Sequence, residues 1–314
     1  MGKTQKILCT CPPMIRQVDR MQDWLKNLGW ELTIPEFEQT LTEAELLELV
    51  HDFDGWIIGD DPATEAVFRA GKAGRLRAAV KWGAGVDNID FEGAKNAGIP
   101  ISHTPGTFGG EVSDVAIGYL IGLARGLFQI DQGVRAGHWP KPAGMSLTGK
   151  SVGVLGLGHI GRCLVPKLKA LGMDIVGYDP FVTETDTPDI GRAQWPQKID
   201  TLNFVILTCN LTDSNFHIIN TAVLDSMNPS AYLINVSRGG LVDESALIQA
   251  LQGGQIQGAA LEVMEHEPLP ANSPLRKMDN VVFGSHNSSN TIEAVLRTSR
   301  IAIDKLSAFL EESA

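Results

Sequence analysis

Three segments in the second half of this sequence place chemically useful side chains just beyond short apolar runs. Asn235-Val236-Ser237-Arg238-Gly239 puts an arginine past one run, Ala260-Leu261-Glu262-Val263-Met264-Glu265-His266-Glu267 puts acids past the next, and Val282-Phe283-Gly284-Ser285-His286 puts a histidine past the last. Ligand crevices of open α/β sheets form just outside such strand ends. A guanidinium fork, a carboxylate and an imidazole on one sheet edge are the parts that hydride chemistry on a 2-oxo acid needs. When hydride reaches the keto carbon, the oxygen becomes an alkoxide, which an imidazolium can protonate near neutral pH. An arginine holds a carboxylate bidentately, and a glutamate beside the histidine favours its protonated form and fixes the ring. Spacing alone leaves both Glu265 and Glu267 open for that last role. His51, His103, His138, His159, His217 and His266 lack comparable neighbours and read as surface, turn or packing residues.

A second constellation lies upstream. Val152 to Gly161 reads as a strand running into G-x-G-x-x-G, with Gly156 for the tight turn, Gly158 for close backbone approach to a pyrophosphate and Gly161 for helix–strand packing. The helix that follows offers N-terminal amides to phosphates. Asp179 closes the next apolar run, roughly 20 residues past the last glycine, where a carboxylate bonds the ribose hydroxyls of NAD and repels a 2′-phosphate. Glu184, Asp186 and Asp189 follow, and the first basic residue after them is Arg192.

Short runs rich in Ile, Val and Leu alternate with amphipathic stretches along the chain. Lys6-Leu8, Gly55-Ile58, Ala78-Val80 and Ile99-Ile101 predict strands of a first lobe, with helices over Ala44 to Val50 and Ala63 to Ala70. Thr42-Glu43-Ala44-Glu45 is a capping-box pattern. After a Pro/Gly-rich stretch at Trp139-Gly144, six strands are predicted at Ser151-Val154, Asp174-Tyr178, Phe204-Thr208, Tyr232-Asn235, Gly258-Leu261 and Val281-Phe283. The fold class is therefore α/β with two doubly wound parallel-sheet domains. An apolar stripe through Ile292, Val295, Leu296, Ile303, Leu306 and Leu310 predicts a last helix that packs back on the first lobe.

Composition narrows the function classes. At 314 residues and 43% hydrophobic, the chain can bury two cores. A net charge of −11 and a pI near 5.1 oppose nucleic acid and anionic membrane partners. No apolar run reaches a membrane span and no secretory signal opens the chain, so a cytoplasmic location is expected. Cys9, Cys11, Cys163 and Cys209 are too scattered for a disulfide framework or a zinc site.

Gly83-Ala84-Gly85-Val86-Asp87-Asn88-Ile89-Asp90, Thr104-Pro105-Gly106, the glycine fingerprint and Ile234-Asn235-Val236-Ser237-Arg238-Gly239 together resemble the D-isomer-specific 2-hydroxyacid dehydrogenase family, most closely its phosphoglycerate dehydrogenase-like branch. The resemblance spans nearly the whole chain. It implies a flavodoxin-like substrate domain over 1–102 and 288–314, and a Rossmann NAD-binding domain over 103–287, with the connections acting as a hinge. It implies Arg238, Glu267 and His286 as catalytic residues, with Ala84, Gly85, Val86 and Arg238 binding a small 2-hydroxy or 2-oxo acid. NAD would be held by Gly156, Gly158, His159, Ile160, Gly161, Asp179, Val236, Arg238, Glu262 and His286. The segment from Glu111 to Arg135 resembles the helix that pairs subunits in family dimers, its apolar face carrying Val112, Val115, Ala116, Tyr119, Leu120 and Leu123; Trp139 would reach toward a partner. An NAD-sensing binding protein with little turnover is the alternative reading. Three departures stand out: Glu262 where the family has Asp near the nicotinamide, Ser288 and Ser289 where it has glycines, and Asp60-Asp61-Pro62 where a phosphate-binding arginine often sits. The last of these argues against phosphoglycerate.

Overall fold

Backbone hydrogen bonding sorts the apolar runs into two parallel sheets. The computed structural model describes residues 4–37, 40–183 and 189–312, so Glu184 and Asp186 lie outside the described residues. The chain divides into two compact units, one running to Thr107 and resuming at Asn290, the other spanning Phe108–Ser289.

In the first unit, β1 (Gln5–Cys9), β2 (Trp30–Thr33), β3 (Gly55–Ile58), β4 (Ala78–Lys81) and β5 (Ile101–His103) pair in parallel in the order β2-β1-β3-β4-β5. That is the flavodoxin-like order. Every residue of β3 and β4 is buried, as expected where helices cover both faces of a parallel sheet. The capping box forms at helix Glu43–Leu49: Thr42 Oγ1 accepts from the Glu45 amide at 3.3 Å, and Glu45 accepts from the Thr42 amide at 2.7 Å. Helix Ile292–Glu312 completes this unit, with Ala302, Ile303, Leu306 and Leu310 buried. Trp82 Nε1 donates to Ser299 Oγ on that helix at 3.0 Å.

Two expectations shift here. The run beginning at Ile99 enters the sheet only at Ile101, because Pro100 has no amide to give the ladder; its carbonyl still accepts from Ala79 at 3.0 Å. A domain boundary after residue 102 would cut β5. The unit instead extends to Thr107, and Thr104 is tied back by its amide to Gly83 O (3.1 Å) and by its hydroxyl from Gly83 N (2.7 Å).

The second unit holds β6 (Ser151–Leu155), β7 (Asp174–Tyr178), β8 (Gly191–Arg192), β9 (Phe204–Leu207), β10 (Tyr232–Asn235), β11 (Gly258–Leu261) and β12 (Val281–Phe283), ordered β12-β11-β10-β9-β6-β7-β8. The order reverses at β6, which makes the crevice past β6 and β9 the Rossmann switch point. Seven strands replace the six expected, because a two-residue edge strand carries no periodicity to read. The segment from Glu111 to Arg135 is two helices, Gly109–Arg125 and Leu127–Arg135. Gly126 separates them with φ 63° and ψ 29°, the left-handed geometry in which helices commonly stop. Val112, Ala116, Tyr119, Leu120 and Leu123 are all buried within this chain, so they are not surplus apolar surface.

Candidate active site

The glycine loop follows directly from β6. Gly156 turns with φ 102° and donates its amide to Tyr178 O at 2.8 Å, which ties the loop to the end of β7. A Cβ on Gly156 would come within 2.5 Å of the Cys209 amide, and one on Gly161 within 2.1 Å of Gly156 O, whereas at Gly158 it would meet nothing within 4 Å. Gly158 and His159 are exposed and Ile160 is half-buried where helix His159–Ala170 begins. Its first-turn amides therefore face an open, glycine-lined cradle, which fits a dinucleotide pyrophosphate.

Asp179, just past β7, accepts from Leu157 N at 2.8 Å and from Phe181 N at 2.9 Å, one amide on each carboxylate oxygen. Each oxygen keeps acceptor capacity toward a ribose hydroxyl. The aspartate thus both shapes the glycine loop and starts the turn at Pro180. Arg192, far along the sequence, is brought back by β8: its Nη2 donates to Asp179 O at 2.9 Å and its Nη1 to Thr183 O at 3.1 Å. Burial pushes the nearby Cys209 thiol up to about 11, so it is protonated and unreactive at neutral pH.

Past β10, β11 and β12 the second constellation assembles. His286 Nδ1 lies 2.7 Å from Glu267 Oε2, and the other oxygen of Glu267 accepts from Met264 N at 2.9 Å. A carboxylate only accepts, so in this pair Nδ1 carries the proton. Glu265 is committed elsewhere: it meets His217 Nε2 at 2.8 Å and caps the start of helix Glu244–Gln252 through Glu244 N at 3.1 Å. The structure thus separates the two glutamates that spacing left open. Arg238 is half-buried, with Nη1 donating to Ser237 O at 2.9 Å. Its carbonyl accepts from Asn235 Nδ2 at 2.8 Å. Gly239 has to be glycine, since a Cβ would sit 1.8 Å from Met264 O. Val236 is buried at the end of β10, its amide on Leu207 O at 3.4 Å.

Glu262 differs from expectation. It is 2% exposed, and Tyr119 Oη donates to its Oε2. Its Oε1 accepts from Asn287 N at 2.5 Å and Ser288 N at 2.7 Å. Tyr119, 143 positions away, was visible in the sequence only as one more apolar-face residue.

In the first unit, Ala84, Gly85 and Val86 form the loop after β4, Ala84 exposed and the other two half-buried. Among the described residues their amides meet no hydrogen-bond acceptor within the protein. Asp60, expected to repel phosphate by itself, lies 2.7 Å from Lys81 Nζ, a lysine whose side chain is only 3% exposed. Asp61 is fully buried and accepts from Leu41 N at 2.8 Å. Among the described residues, no helix is long and apolar enough to cross a membrane.

Residues 117–288 match the family described as D-isomer specific 2-hydroxyacid dehydrogenase, NAD binding domain. The chain belongs to that family. A glyoxylate reductase of Thermofilum pendens is 36% identical over 86% of this chain and 82% of its own length. A D-3-phosphoglycerate dehydrogenase of Methanocaldococcus jannaschii is 34% identical over 86% of this chain but only 52% of its own, so the chain spans about half that relative. The apo structure of D-lactate dehydrogenase from Escherichia coli superposes with a TM-score of 0.84 at 25% identity, covering 98% of both chains. This dehydrogenase is an NAD-dependent oxidoreductase of the D-2-hydroxyacid class.

Proposed function

We propose that this protein interconverts small, unphosphorylated 2-oxo acids and D-2-hydroxy acids, with Arg238 holding the substrate carboxylate and His286 exchanging the proton. The observation that carries this reading is the His286–Glu267 pair at 2.7 Å, which sets a carboxylate against Nδ1 of the imidazole. Bound NAD(H) supplies or takes the hydride. Arg238 orients the carbonyl by gripping the adjacent carboxylate, Glu267 favours the imidazolium, and His286 delivers its proton to the developing alkoxide. The amides of Ala84, Gly85 and Val86 suit the carboxylate as further donors, and Asp179 suits the ribose.

The preference for unphosphorylated acids rests on Asp60, a carboxylate that would repel a phosphate and that already engages the Lys81 ammonium at 2.7 Å. Relatives named glyoxylate reductase and hydroxypyruvate reductase support the same direction. A panel of glyoxylate, hydroxypyruvate, sugar-derived 2-oxo acids and phosphoglycerate tests it. Glyoxylate or hydroxypyruvate should lead in kcat/KM; phosphoglycerate leading would overturn the substrate class, and NADH binding without turnover on any acid would favour a sensor.

We further propose a cytoplasmic homodimer formed through the helix Leu127–Arg135, which buries none of its residues in the single chain. Leu127 is 49% exposed, Phe128 38% and Val134 44%, with Trp139 at 77% just beyond.

A further inference from the structure

Glu262 is a buried acid with three donors and no visible role in holding substrate. Its side chain receives Tyr119 Oη on one oxygen and the Asn287 and Ser288 amides on the other, at 2.5 and 2.7 Å. Its main chain receives the His286 amide at 2.8 Å and donates to Asn235 O at 3.0 Å. Three consecutive amides, those of His286, Asn287 and Ser288, therefore end on one residue. His286 itself has φ 55°, a left-handed conformation that is strained for any residue bearing a Cβ. Such a conformation persists only where its surroundings over-determine it. Space enforces the arrangement too: a Cβ on Gly284 would lie 1.9 Å from Glu262 Oε2 and 2.4 Å from Tyr119 Oη.

We propose that Tyr119 and Glu262 form a buried clamp that sets the position of the His286 loop, so that Glu262 acts as a positioning residue for the acid/base group instead of contacting the nicotinamide carboxamide. This rests on His286 being the acid/base, as proposed above. One carboxylate thus ties helix Gly109–Arg125 to the loop after β12, and Glu262→Asp would shorten its reach by one methylene. Burial, then the neighbouring carboxylate, push the Tyr119 phenol up, so it stays a donor. Glu267 faces the His286 ring directly, and Glu262 and Tyr119 act on it through the backbone they hold.

The test uses Tyr119→Phe, Glu262→Asp and the double variant in the full-length chain, reading three quantities: NADH Kd by fluorescence titration, kcat against pH on the best 2-oxo acid, and the His286 imidazole titration by NMR. Each single variant should lower kcat about fivefold or more with NADH Kd within about twofold, and the double should be little worse than the worse single, as residues acting through one contact require. The His286 titration and the pH limit of reduction should both move to lower pH, because a loosened ring loses part of its contact with Glu267. If either variant fails to fold, Glu262→Gln keeps the length and one acceptor for the loop amides and takes the same measurements. Weakened NADH binding with an unmoved His286 titration would overturn the clamp and make Glu262 a nicotinamide contact. A His286→Asn variant as active as the parent would instead overturn the acid/base reading, while the imidazole titration, which needs no turnover, still decides whether the clamp positions the ring.

Discussion

At the scale of single residues, the two glutamates past β11 give opposite expectations. Glu267→Gln keeps shape but removes the charge beside His286, so the alkaline limb of the reduction profile should move to lower pH and reductive activity should be confined there. Glu265→Gln touches His217 and the Glu244 amide, and should lower thermal stability while leaving the pH profile in place. pH–rate profiles of both variants check this; the reverse pattern would transfer the role to Glu265. Removing the imidazole with His286→Ala should cost about 100- to 10,000-fold in turnover, the usual worth of general acid catalysis. Asp61 supplies a stability test. Burial raises its carboxyl above the usual range, and among the described residues its buried Oδ2 has no hydrogen-bond partner. A raised folded pKa means the proton is bound more tightly in the fold, so stability is fullest below the unfolded pKa and declines as pH rises through the folded one. Asp61→Asn keeps the acceptor for Leu41 and should gain about 1 kcal/mol at neutral pH, a gain that shrinks toward pH ~4 in denaturant titrations.

At the scale of elements, Asp179 and β8 act together on cofactor choice. The carboxylate shapes the glycine loop through Leu157, and Arg192 holds the carbonyls that follow it. Asp179→Ala should lower kcat/KM with NADH about tenfold or more and narrow the gap to NADPH, since it removes charged hydrogen bonds and leaves Arg192 nearby. Initial rates with both cofactors decide it. The same region shows how far a sequence can be read. Strands of four or five buried apolar residues, the fingerprint glycines and the capping box at Thr42 were legible because each is a local rule. Arg192 beside Asp179, Lys81 beside Asp60 and Tyr119 against Glu262 were not, because each pairing is created by sheet order or helix packing. The competition between Glu265 and Glu267 had the same cause: two residues in one turn diverge only when the backbone chooses where each points. The break at Gly126 was readable in principle, as a glycine inside an amphipathic pattern, yet the pattern on either side ran on.

At the scale of the whole molecule, the exposed apolar side chains of helix Leu127–Arg135 carry the prediction. Sedimentation at micromolar concentration should show a dimer, and Leu127→Glu combined with Val134→Glu should give a folded monomer, since neither side chain contributes to the core. A dimer that survives both changes would place the contact elsewhere. The first unit is assembled from both ends of the chain, and this has a consequence for how the protein is made. Phe108–Ser289 is one continuous stretch and can fold as soon as it clears the ribosome, whereas β3 and β4 wait for helix Ile292–Glu312, whose Leu306 packs against Gly55 and whose Leu310 carbonyl takes Arg77. During synthesis the earliest-made sheet is therefore the last to be finished, left with an apolar face uncovered while the whole nucleotide-binding unit is translated behind it. That interval is when a nascent chain of this family most needs protection from its neighbours.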